Sequence, residues 1–188
     1  ATTITARALA EFDNAVKTLR DRGVTVHVFE DDGSRDTPDS VFPNNWFSTH
    51  VGGHIAIYPM HAVNRRRERR ADVIELLKTS YRVQDVIDYS GLEADGIALE
   101  GTGAMVLDHV GRIAYTVKSN RADPVALERF CTHFGYEPMV FDAHDRAFAF
   151  FAHHQRHFVT VVQAEHHTLQ VQHDVHHVFG NAVDGGVL

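Results

Sequence analysis

Apolar residues recur at Ala8, Leu9, Phe12, Val16 and Leu19, close to the 3.6-residue period of a helix with one buried face. Thr3 or Thr5 can cap the start and Gly23 can stop it, so the pattern predicts a helix over residues 5–22. Val24, Val26 and Val28 then alternate with Thr25, His27 and Phe29 up to the turn residues Glu30-Asp31-Asp32-Gly33, which is the pattern of a strand. After a loop through Pro38 and Pro43, the run Ile55–Tyr58, a helix from about Asn64 to Leu77 and a strand ending Val86-Ile87-Asp88 read as strand, helix, strand. The order returns as Ile113-Ala114-Tyr115, a helix from Pro124 to about Gly135, and a strand ending Val140-Phe141-Asp142.

The second copy keeps the spacing of the first. Asn64-Arg65 is matched by Asn120-Arg121 after 120 − 64 = 56 residues, and Asp88 by Asp142 after 142 − 88 = 54. Glu30 or Asp31 stands 58 or 57 residues before Asp88, which fits a partial copy at the N-terminus, so about three units are recognisable. A period of this size predicts radial or stacked α/β units. Between the two full copies, Gly96 to Asp108 reads as a glycine-interrupted strand leading through His109-Val110-Gly111 into a hairpin. Gly101 and Gly103 would let backbone or ligand approach closely there, which makes Glu100 a candidate site residue.

Composition narrows the class of partner. The chain has 188 residues, 44% hydrophobic, enough for one globular domain with a continuous core. With 25 acidic against 18 basic residues the formal charge is −7, which argues against nucleic acid or an anionic membrane and for a small-molecule partner. Cys131 is the single cysteine, too few for a disulfide within the chain or a cysteine metal cage, which suits a reducing, cytoplasmic compartment. No run of 18 apolar residues is present.

Two segments carry most of the chemistry, TPDSVFPNNWFSTH at 37–50 and LEGTGAMVLD at 99–108. With YPMHAVNRRRERRADVIELL and RIAYTVKSNRAD beside them, residues 6–145 resemble the arginine deiminase and amidinotransferase superfamily of guanidine-modifying enzymes. Asn44-Asn45, in place of the acidic pair usual there, is similar to the citrulline-utilisation hydrolases. The resemblance implies a pentein-type α/β propeller of ββαβ units, here incomplete, and hydrolysis of ureido or amidino compounds. Citrulline is the favoured substrate and arginine-like compounds the alternative, with no metal or organic cofactor. Asp39, Asn44 and Asn45 are then expected to bind the substrate head group and Glu100 to hold and polarise its nitrogen. The chemistry agrees, since a carboxamide offers both a donor and an acceptor to a neutral ureido group, whereas a guanidinium demands carboxylates. On residue type alone, Asp39, Asn44 and Asn45 would form Asx-turns beside proline.

The resemblance also implies a cysteine nucleophile near the family's C-terminus and a proton-shuttling histidine on a strand soon after Asp145. His153 or His154 falls near the latter position. Cys131 lies on a predicted helix between Phe130 and Phe134, as a small buried hydrophobe would. The expectation is therefore a truncated, inactive chain: a partial propeller over 1–145 and a divergent segment over 146–188, prone to self-association because an incomplete ring leaves a strand edge open. A non-catalytic ureido-binding remnant is the alternative. Nine of the 15 histidines lie between His144 and His177, so genuine divergence and a reading-frame slip both remain open for that segment, as does metal binding by its histidines. Arg65, Arg66, Arg67, Arg69 and Arg70, with Glu68 and Asp72 interleaved, read as a solvated, partly ion-paired helix face. From it, Arg65 or the matching Arg121 could reach a substrate carboxylate.

Overall fold

A computed structural model describes residues 2–142 and the strand Phe158–Gln163. They fall into two compact units, one of residues up to 27 with 161 onward and one of residues 28–160. Helix α1 (Thr2–Asp21) leads into strand β1 (Thr25–Glu30), which pairs with the strand Phe158–Gln163, and the boundary between the units falls within both strands. The inward stripe of α1 is Thr5, Ala8, Phe12, Val16 and Leu19, whereas Leu9 is left exposed. Thr3 and Thr5 lie inside the helix and do not cap it. Gly23, at φ +83°, ends it as expected: the N–H groups of Gly23 and Val24 return to the carbonyls of Arg20 and Leu19.

The second unit holds the repeat. Strand β2 (Phe47–His50) turns tightly into antiparallel β3 (His54–Ile57). Helices α2 (Val63–Arg66) and α3 (Ala71–Ser80) then carry the chain to β4 (Asp85–Asp88), parallel to β3 with Ile55 opposite Val86. After the helical turn α4 (Gly101–Ala104), the sequence of elements recurs. Strand β5 (Met105–Asp108) pairs antiparallel with β6 (Ile113–Val117), α5 (Pro124–Phe134) crosses over, and β7 (Glu137–Phe141) lies parallel to β6. Each copy is thus a three-stranded ββαβ unit, and α1 with β1 supplies the helix–strand half of another. The fold is mixed α/β, built on repeated ββαβ units.

Local chemistry explains the firmest element. Pro124 sits in the first turn of α5, the Asp123 side chain accepts from Val125 N–H at 2.8 Å, and Gly135 follows at φ +67°. Ala126, Leu127, Phe130, Cys131 and Phe134 form its buried face. They pack with Ala56 of β3 and Ala114 of β6, whose small side chains leave room for aromatic rings, and with Tyr58, Tyr89, Leu99 and Met105, so one core joins the two units of the repeat.

Three further expectations are corrected. The helix expected from Asn64 to Leu77 is broken over 67–70, because side chains there turn to tertiary partners. Glu68 is buried against Arg65, Arg69 reaches Glu93, and Arg70 donates to the Glu30 carbonyl. The arginine run is therefore a set of fasteners and not a solvated face: Arg66 donates to the Met60 carbonyl and Arg67 to those of Arg35 and Asp36. Likewise Gly101–Ala104 is a helical turn and not the middle of a strand, although the hairpin after it is present.

The core also contains a titratable group. His50 lies between Ser48, whose Oγ is 2.7 Å from Nε2, and the rings of Phe130 and Phe134, and Ser48 Oγ is in turn 2.6 Å from Tyr58 Oη. Burial, helped by the charges of His109, Arg112 and His54, pushes the imidazole pKa down to about 4. With the folded value below the unfolded one, the neutral ring stabilises the fold above the unfolded pKa of about 6.5, and that contribution is lost as pH falls towards 4. It amounts to at most about 3 kcal/mol, less whatever solvent reaches the ring. In an NMR titration the His50 resonances are expected to show no transition between pH 7 and 5.5. A midpoint near 6.5 would refute the burial argument.

Candidate active site

The two motif segments meet at Glu100. The loop before β2 ends in a single 3-10 turn, Pro43–Asn45, which buries Asn45 and leaves Asn44 exposed. Glu100 immediately precedes α4 and its side chain is almost fully buried, at 2% exposed. Two close approaches fix this junction. Gly101, at φ +35°, lies where a Cβ would come within 2.2 Å of the Asn44 carbonyl oxygen, and a Cβ on Gly103 would come within 1.9 Å of Asn45 Oδ1. The expectation that these glycines allow close approach holds, though on a helical turn. Asn44 Nδ2 also donates to Thr102 Oγ1 at 2.7 Å, fastening the first motif to the second.

Glu100 is held from three sides. Its Oε1 accepts from the backbone N–H of His61 at 3.0 Å, and its Oε2 accepts from Arg121 Nε at 2.5 Å. Arg65 Nη1 stands 3.7 Å from the same Oε2. Arg121 Nη2 lies 3.5 Å from Asn45 Oδ1, so one guanidinium spans the carboxylate of the second motif and the carboxamide of the first. Behind Arg65, the buried Glu68 takes Nε at 2.8 Å and Nη2 at 3.1 Å. Desolvation pushes the Glu68 carboxyl up, against the opposing pull of Arg65. Desolvation works to lower the Arg65 pKa, but the Glu68 pair, with Glu100 and Asp39 nearby, outweighs it, and Arg65 stays firmly charged. Asp39 is half-buried and adds its charge to this cluster.

Glu100, Asn45 and Asn44 are thus gathered around one junction, Asp39 lies near enough to Arg65 and Glu68 for its charge to act on them, and His153 lies outside the described residues. Cys131 is buried on α5, and burial alone pushes its thiol up to about 11, the opposite of what a nucleophile needs. The sequence offers Arg65 or Arg121 only as an arginine that could reach a substrate carboxylate, and gives Glu68 no role at the site. The signal was present: Asn64-Arg65 and Asn120-Arg121 are the matched dipeptides of the repeat, and each unit delivers its arginine to the same carboxylate. Among the described residues no group of three histidine, cysteine or acidic side chains could hold a metal ion, and no helix is long and apolar enough to cross a membrane.

The chain belongs to the pentein superfamily of guanidino-modifying hydrolases, as its family match shows. Within it, residues 1–168 match the family described as N,N dimethylarginine dimethylhydrolase, eukaryotic, and the chain belongs to that family. Solved structures with a similar fold include the substrate-bound N-terminal domain of ArgZ, an arginine dihydrolase from the ornithine–ammonia cycle in cyanobacteria. It is 16% identical, with a TM-score of 0.46, over 58% of this chain and 37% of that one. Another is the dimethylarginine dimethylaminohydrolase of Pseudomonas aeruginosa complexed with citrulline, 19% identical, with a TM-score of 0.43, over 57% of this chain and 40% of that one. The chain therefore spans well under half the length of these structures. No curated protein matches it.

Proposed function

We infer that this chain carries the head-group-binding part of a hydrolase of the citrulline-utilisation kind, recognising a neutral ureido group in place of a guanidinium cation. The observation that carries this reading is that both oxygens of Glu100 already accept from donors of the chain itself, beside an asparagine pair. A carboxylate so engaged is a poor counter-ion for an incoming cation. Asn44 and Asn45 provide the donors and acceptors that a ureido group matches, and Asp39 can accept one of its N–H groups. Hydrolysis in the whole protein would proceed through a cysteine thiolate attacking the ureido carbon. Cys131, enclosed in the core, does not suit that role, so the 188-residue chain is expected to bind ligand without turning it over. A lone buried thiol also suits a reducing compartment such as the cytoplasm.

Family membership favours a second reading, in which the ligand is a methylated arginine and hence a cation. A titration separates the two. Trp46, the only tryptophan, is buried directly after Asn45, and its fluorescence can report binding. Citrulline is expected to bind at least about tenfold more tightly than arginine or dimethylarginine, a difference of about 1.4 kcal/mol. Asn45→Asp, which places a carboxylate at the junction, is expected to reverse that order. Tighter binding of either cation by the unaltered chain would overturn the ureido reading in favour of the second.

A further inference from the structure

Ser48 lies on β2, and its hydroxyl is the middle of a three-membered chain in the core: Tyr58 Oη stands 2.6 Å from Ser48 Oγ, and His50 Nε2 stands 2.7 Å from it. The direction of this chain is set by its least adaptable member. Tyr58 is 1% exposed, and burial pushes its phenol pKa up, so the hydroxyl keeps its proton. Among the described residues, Ser48 Oγ is the one acceptor given to that proton. Ser48, accepting from Tyr58, turns its own proton to His50 Nε2, which is then the bare nitrogen of a neutral imidazole. The pKa of about 4 that burial imposes on His50 keeps the ring in that form near neutral pH.

Tyr58 also meets the site. Its ring is packed against Gly101, the residue after Glu100: a Cβ at Gly101 would stand 3.1 Å from both Cδ2 and Cε2. The backbone that follows Tyr58 runs beside the Glu100 segment, since Leu99 N–H donates to the Pro59 carbonyl and His61 N–H to Glu100 Oε1. The place of the ring therefore sets where the turn carrying Glu100 is seated, and the ring's hydroxyl end is held by Ser48. We propose that Ser48 is a positioning residue of the head-group site: by accepting from Tyr58 and donating to His50, it holds the tyrosine ring in the place against which the Glu100–Gly101 turn rests. This role rests on the ureido reading above only for the ligand that reports it. Groups joined in one hydrogen-bonded chain act as a unit, so loss of the Ser48 hydroxyl is felt through Tyr58 and not independently of it.

Ser48→Ala, Tyr58→Phe and the double variant test this. They are read first without ligand, by the amide NMR resonances of Gly101, Thr102 and Gly103. Ser48→Ala leaves a buried phenol proton without an acceptor, so the ring shifts to find one and the three amides are expected to move. Adding Tyr58→Phe removes that proton, and the amides are expected to take the positions they have in Tyr58→Phe alone. Citrulline affinity is expected to fall at least about tenfold in Ser48→Ala but only about threefold in Tyr58→Phe and in the double variant, which recovers most of what the serine change loses. Independent roles would instead multiply to about thirtyfold in the double variant. Unmoved amides in Ser48→Ala, or losses that multiply, overturn the proposal; a lower urea midpoint with neither change marks a purely structural serine. No citrulline binding by the unaltered chain overturns the ureido reading and leaves the amide resonances to decide the role of Ser48. Should Ser48→Ala fail to fold by circular dichroism, the double variant is compared with Tyr58→Phe. Matching amides and affinity are expected, and a further loss from the serine change with the phenol already gone overturns the proposal.

Discussion

Replacing Gly101 by alanine is expected to lower the free energy of unfolding by about 2–4 kcal/mol and to abolish citrulline binding. The added Cβ would stand 2.2 Å from the Asn44 carbonyl oxygen and 3.1 Å from the Tyr58 ring. The first neighbour is backbone and cannot rotate away, and the φ of +35° is itself strained for an L side chain. Either the α4 turn or the Asn44 peptide must move, and both shift Asn44 and Asn45 relative to Glu100. Stability and binding should therefore fail together. Urea unfolding followed by Trp46 fluorescence measures the first and a citrulline titration the second. Gly91→Ala is the control, since nothing lies within 4 Å of its Cβ position; its effect is expected to stay within about 0.5 kcal/mol. An unchanged urea midpoint for Gly101→Ala would mean that close packing of α4 against the first motif is not what requires glycine there.

What could be read from the chain follows from the range of the interactions concerned. Helix α5 was legible because its signals are local: Pro124 in the first turn, Gly135 at the end, and an apolar stripe of the right period. The repeat was legible for the same reason, since two copies of one pattern reinforce each other. The break after Arg66 was not, because nothing in the segment forbids a helix. It is imposed by partners far away in sequence, Glu93 for Arg69 and the Glu30 carbonyl for Arg70. Leu9 lies outside the stripe for a geometric reason: Thr5, Ala8, Phe12, Val16 and Leu19 advance by three or four residues at a time, and Leu9 falls between two of these steps. At the site, the motif residues Asn44, Asn45 and Glu100 could be named from their segments, and the structure adds what holds them. That support comes from Arg65, Arg121 and Glu68, whose roles depend on two halves of a repeat folding back on one another. Only the matched position of Arg65 and Arg121 in the two copies pointed to the arginines, and nothing local pointed to Glu68.

That support makes Glu100 the residue whose loss should separate scaffold from site. Glu100→Ala removes the acceptor of the His61 N–H, the partner of Arg121 Nε and the charge facing Arg65. Loss of one partner from a buried ion pair can cost about 3–5 kcal/mol. Two features reduce that figure here. Arg121 is 44% exposed and can be hydrated where it stands, and Arg65 keeps both bonds to Glu68. The orphaned His61 N–H remains, and about 2–3 kcal/mol of lost stability is expected in total. Glu100→Gln behaves differently, because its carboxamide oxygen can still accept from His61 N–H while its amide nitrogen turns unfavourably towards Arg121. It is expected to cost only about 1–2 kcal/mol yet to weaken citrulline binding by about 10- to 100-fold, since the fixed charge that orders Arg121 against Asn45 is gone. Urea midpoints and citrulline titrations of the two variants measure these effects side by side. Normal citrulline affinity in a folded Glu100→Gln chain would show that Glu100 serves only to join the two ββαβ units, and the head-group site would then have to be sought elsewhere on the molecule.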